Sequence, residues 1–200
     1  MKRFVFLLIF VCTGVFLASC DSNDKDEQNN ATTVDEQIGK VLYENGDQTI
    51  ELAASEKNLP AKFEDLALER EEVPHFQYLI KKADTQSEYE DAWGFYELDG
   101  KAPNIDFDSE NAYFIGMYES GEGDGNCPAI IKDIQLDRDA KAMKVFIVEL
   151  IGPNDGCDEM ATPRTHVVKA NKDISQGIES ITMVEEYINN PIETEVPVGN

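Results

Sequence analysis

Apolar and polar positions alternate through much of this chain, and the alternation predicts a sheet with one well-marked helix. Val41 and Tyr43 alternate with polar residues before Asn45-Gly46, and Ile50 and Leu52 alternate after it. Asn-Gly is the favoured two-residue hairpin turn, so residues 40–52 read as a hairpin. Leu59-Pro60 breaks the chain. Residues 63–72 fit two readings: Phe63, Leu66 and Ala67 suit a helix, whereas Leu66 and Leu68 ahead of Pro74 suit a strand. The compact apolar run at 76–80 predicts a strand. Thr85-Gln86-Ser87-Glu88 then forms a capping box, in which each end covers the other's orphan N–H. Tyr89, Ala92, Trp93 and Tyr96 follow at helical spacing, so a helix packs its Trp93 face on the sheet.

Residues 112–118 are apolar on both faces, as in a central strand. Further strands are predicted at 130–136, 143–151 and 165–169. A turn at 137–141 and acidic loops at 119–126 and 152–162 separate them. Ile178, Ile181, Val184 and Ile188 fit a helix, but Ile181, Met183 and the β-branched content favour a strand. Residues 191–200, which include Pro191 and Pro197, read as a loose C-terminal tail. The expected fold of residues 38–190 is a single α+β domain: a curved antiparallel sheet or partial barrel with one main helix packed on it.

The start of the chain has a different pattern. Lys2 and Arg3 precede an almost wholly apolar run at 4–16, and Leu17-Ala18-Ser19 leads to Cys20. Residues 1–19 read as a secretory signal peptide, too short for a membrane span of about 20 apolar residues. The ending resembles the lipobox of bacterial lipoproteins: a leucine, two small residues and a cysteine. That resemblance implies cleavage after Ser19 and lipidation of Cys20 with palmitate-type chains. Each buried CH₂ contributes about 0.8 kcal/mol, so several chains anchor a protein stably. The expected location is the cell membrane, with the protein facing outside the cytoplasm. Cys12 leaves with the signal peptide. Residues 20–37 then form the lipidated cysteine and a flexible acidic tether, with too few apolar residues to offset the entropy of ordering. About 16 such residues span roughly 20 Å.

Charge narrows the partners. The chain holds 17 basic and 40 acidic residues, net −23. Phosphate binding needs clustered Lys and Arg, so this balance argues against nucleic acid. After cleavage only Cys127 and Cys157 remain besides Cys20. Outside the cytoplasm such a pair reads as a disulfide. A hairpin of 130–136 beside 143–151 puts both cysteines beyond one open end, and the closed loop of about 30 residues contributes on the order of 3 kcal/mol.

Residues 76–170 resemble the C-terminal domain of the PrcB family, accessory lipoproteins of surface protease complexes. The likeness lies in order and spacing: a strand, a short helix carrying Trp93, then Pro103-Asn104-Ile105-Asp106-Phe107. A central strand, a Gly-rich loop and a hairpin follow, and Pro163-Arg164-Thr165-His166-Val167-Val168 comes last. Gly125-Asn126-Cys127-Pro128 stands where that family commonly has a Gly-Gly-Tyr step. The resemblance implies a non-catalytic domain that binds or stabilises another protein, such as a secreted protease. It identifies no active-site residue.

The same disulfide would join two acidic loops, one with Glu119, Glu122 and Asp124, the other with Asp155, Asp158 and Glu159. These are the candidate ligands for calcium, which takes six to eight oxygens on turning backbone. Solvated loops are the simpler reading of acids this abundant. His75 and His166, the only histidines, read as structural. No GxSxG, HExxH, Walker or GxGxxG motif occurs. The expected function is a lipid-anchored, non-enzymatic binding or accessory protein. The alternatives are a calcium-dependent surface module and an envelope-polymer hydrolase using paired carboxylates.

Overall fold

The computed structural model describes residues 37–121, 127–137, 139–150, 158–187 and 190–199. In chain order the elements are β1 (Val41–Asn45), β2 (Gln48–Glu56), α1 (Phe63–Leu66), β3 (Leu68–Glu69), β4 (Gln77–Ala83) and α2 (Gln86–Phe95). Then follow β5 (Glu110–Gly121), β6 (Ala129–Asp137), β7 (Ala142–Glu149), β8 (Asp158–Asn171), α3 (Lys172–Ser175), β9 (Ser180–Tyr187) and β10 (Asn190–Gly199). The protein is mostly β, a nearly closed curved sheet or barrel with few helices, in line with the curved sheet or partial barrel expected from the sequence. The sheet order is β1-β2-β8-β5-β4-β10-β9-β7-β6, with the short β3 also paired to β4. Lys40 Nζ reaches across to the carbonyl of Lys132 on β6 at 3.1 Å.

Two expectations need correction. The sheet is not wholly antiparallel: β4 with β10 and β7 with β9 run parallel. Residues 191–199, expected within a loose tail, form a strand. Asn190 to Pro197 pair in unbroken antiparallel register with Tyr187 to Ser180, and Val198 and Gly199 pair with Ile80 and Lys81. Insertion of this last strand between β9 and β4 creates one of the parallel pairs. The 63–72 stretch resolves into both readings, a single turn of helix followed by two strand residues. Ser180–Tyr187 form a strand, as the β-branched content of this stretch suggests. The first hairpin turns one residue later than expected, because Asn45 pairs with Gln48. Gly46, at φ +64°, takes the left-handed position that such a turn requires.

Strand alternation divides the apolar residues between two cores. Tyr113, Ile115 and Met117 of β5 face the barrel interior with Leu52, Ile80, Val145 and Ile181. Ala112 and Phe114 face outward, where α2 covers them with Tyr89, Ala92, Trp93 and Tyr96. The helix starts as its sequence predicts: Thr85 Oγ1 accepts from Glu88 N at 3.3 Å, and Glu88 Oε2 accepts from Thr85 N at 3.1 Å. Gly116 lies beneath this layer. A Cβ there would sit 2.9 Å from Leu59 and from Tyr96, so the close approach needs glycine. At the end where β5 begins, the upper end below, α3 inserts Ile174 into the interior, and Tyr113 donates to the Ser175 carbonyl at 3.0 Å.

Candidate functional site

The opposite, lower end of the interior is polar. On β8, Thr162, Arg164 and His166 alternate inward beside Glu119, Met117 and Ile115 of β5, and Ser55 of β2 pairs with His166. Glu119 and Arg164 are buried side chains one diagonal step apart. Arg164 Nη2 donates to Glu119 Oε1 at 2.6 Å, and Nε donates to Oε2 at 3.0 Å. Ala129 N donates to the same Oε2 at 2.8 Å. Both carboxylate oxygens are therefore occupied, in the two-pronged geometry that makes arginine–carboxylate pairs strong.

His166 is fully buried, and its pKa is lowered to about 3, first by loss of solvation and then by the Arg164 charge. The Ala129 backbone works in the opposite direction without bringing either ring nitrogen into hydrogen-bond geometry. Ser55 Oγ is likewise without a hydrogen-bond partner. Serine, histidine and glutamate thus share one wall but form no relay. The glutamate holds Arg164, and burial keeps the histidine neutral.

A second buried pair lies at the same end. Tyr78 of β4 donates its hydroxyl to Glu185 Oε1 of β9 at 2.6 Å. Burial, with a contribution from the Glu149 charge, raises the Glu185 pKa to about 7, and the Tyr78 bond opposes the rise. A carboxyl that titrates near neutrality is the sort of group acid–base chemistry uses. Its position beneath Tyr78, with 7% of its surface exposed, makes it a component of the packed interior.

Of the six expected calcium ligands, Glu119, Asp158 and Glu159 lie among the described residues. Glu119 is buried and committed to Arg164 and Ala129. Asp158 and Glu159 lie in β8 instead of a loop, with Asp158 paired to Gly121. Glu122, Asp124 and Asp155 lie outside the described residues, as do Cys157, Cys20 and the segments at 1–19 and 20–36. Among the described residues no group of three or more His, Cys, Asp or Glu is placed to hold a metal ion. Cys127 is fully buried just before β6 and is disulfide-bonded. His75 is exposed, and its Nδ1 lies 3.0 Å from the Arg70 carbonyl.

Among the described residues, an accessible slot of about 350 Å³ opens where β4 meets β10. Leu66, Leu68, Leu79, Phe95, Val196 and Val198 line it. Leu66 is 50% exposed and Phe95 37%, so large apolar side chains face solvent there. Volumes of this order are those of ligand sites. The slot was not expected because β10 was not. Its signal was the inward alternation of Thr194, Val196 and Val198, set between prolines that argued for a tail.

Comparison of the chain with protein-family models, with curated proteins and with solved structures finds no match.

Proposed function

We propose that this protein is a lipid-anchored extracytoplasmic binding or accessory protein, non-catalytic, that contacts another surface or secreted protein. The observation that carries the reading is the apolar slot at the β4/β10 seam, with Leu66 and Phe95 left open to solvent beside it. Exposed apolar surface of this kind marks interaction sites. In the lower interior Glu119 is bound by Arg164 and Glu185 by Tyr78, so these carboxyl groups are used within the fold. In this reading α2 is the main helix, bracing the sheet and contributing Phe95 to the slot. A secreted protease is the partner class that the PrcB resemblance implies. Cys157 is the proposed partner of Cys127.

Affinity capture with the full chain in detergent tests the binding role. Enrichment of one envelope or secreted protein over a bead control is the expected result, and a profile identical to the beads overturns it. The anchor has its own test. The wild type is expected in the membrane fraction, and Cys20→Ser in the soluble fraction. Equal membrane association of the two would remove the lipid from the proposal.

A further inference from the structure

Among the described residues, β10 has a backbone edge that β4 pairs only at its C-terminal end. Val198 N–H donates to the Glu179 carbonyl at 2.8 Å, on the β9 side. Antiparallel pairs alternate between bonded and unbonded, so Val196, Thr194 and Ile192 also turn their backbone groups toward β9. Pro197, Glu195, Glu193 and Pro191 turn theirs the other way, toward the β4 side. There the ladder covers only Val198 and Gly199. Both prolines thus occupy positions where no bond to β9 is lost, which is how a strand tolerates them. The parallel bridge at Val198 and Ile80 takes up the Pro197 carbonyl, so this edge keeps the N–H groups of Glu193 and Glu195 and the carbonyls of Pro191, Glu193 and Glu195, and accepts more hydrogen bonds than it donates.

Charge selects what can lie along this edge. Glu64, Asp65 and Glu69 flank the apolar lip formed by Leu66 and Leu68, and Glu195 flanks Val196 on the other lip. On α2, Glu88 and Asp91 border the Phe95 side. Lys81 is the cation of the slot lining, placed over the Phe95 ring at 5.2 Å, and Lys82 joins it beside Glu88 and Asp91; the six carboxylates outnumber these two lysines.

We propose that the slot and the open edge of β10 bind an extended segment of another protein in which apolar side chains alternate with Lys or Arg. Backbone bonds to β10 supply affinity, the slot takes alternate apolar side chains, and the acidic lips take the intervening cations. This rests on the binding role proposed above and gives it a location and a partner chemistry.

The test is fluorescence anisotropy of the full chain in detergent, at low salt, with a labelled octapeptide alternating Lys and Val. Saturable binding is expected. A Lys-Gly octapeptide of equal charge, and the Lys-Val peptide N-methylated at alternate amides, should each bind at least about tenfold more weakly. Leu66→Ser and Phe95→Ser, at exposed positions that spare the core, should weaken the Lys-Val peptide as well. Equal binding of the Lys-Gly peptide means simple charge attraction and overturns the proposal. So does indifference to N-methylation or to both slot variants. Binding of decanoate, lost in Phe95→Ser, without binding of the Lys-Val peptide would give the slot to a small amphiphile and also overturn it. A captured protein partner that both slot variants retain sinks this location and leaves the binding role standing. Absence of any captured partner sinks the binding role itself.

Discussion

Arg164→Met is expected to lower the free energy of unfolding by about 3–5 kcal/mol, the usual result of stranding one member of a buried ion pair. The variant keeps most of the apolar stem and removes the charge. Glu119 then stays buried with only Ala129 N as a donor. Burial of an unpaired carboxylate is far more costly than burial of the pair. Adding Glu119→Gln should therefore recover most of the loss: the amide is neutral, and its oxygen still accepts from Ala129 N. Urea unfolding of wild type, Arg164→Met, Glu119→Gln and the double variant gives the coupling directly. Additive losses would show that the two side chains do not depend on each other, contrary to their bidentate geometry.

Local signals carried as far as local rules reach. The Thr85 to Glu88 box and the Tyr89, Ala92, Trp93 spacing yielded α2 because capping and periodicity are properties of adjacent residues. The two-sided apolar run of β5 was legible because both faces are in fact covered, one by the barrel interior and one by α2. β10 was not legible. Its prolines carry the usual meaning of a tail, and only the register with β9 shows that both fall where no ladder bond is lost. The slot depends on that strand and was hidden with it. Arg164 and Glu119 stand 45 positions apart, and nothing in their local sequence separates a buried pair from solvated charges. Acidic composition instead suggested Glu119 as a cation ligand. Its inward direction follows from counting two residues on from Met117 in β5, a signal available once that strand is extended past Tyr118.

Glu185 should make the fold less stable as pH rises. The folded-state pKa of about 7 lies above the ordinary 4.5, so the folded protein binds this proton more tightly than the unfolded chain does. The resulting stability is fully present below about pH 4.5 and is lost as pH rises through about 7. Each pH unit between the two values is worth about 1.4 kcal/mol, so the ionised, buried carboxylate costs the fold about 3 kcal/mol at pH 8. His166 acts in the opposite sense. Its lowered pKa gives stability that is present above about 6.5 and is lost as pH falls toward 3. The two slopes overlap in the wild type, so a single pH profile does not separate them. Glu185→Gln does: the side-chain oxygen still accepts the Tyr78 hydroxyl, the charge beside Glu149 is gone, and His166 is untouched. Unfolding free energies of the two proteins should nearly coincide at pH 4.5 and diverge to about 3 kcal/mol in favour of Glu185→Gln at pH 8. Subtracting the profiles cancels the histidine and leaves the titration of one carboxyl, with its midpoint set by Glu185 alone. A constant difference across that range would mean that Glu185 is not held protonated by the interior, and that its bond to Tyr78 is a carboxylate bond at every pH tested.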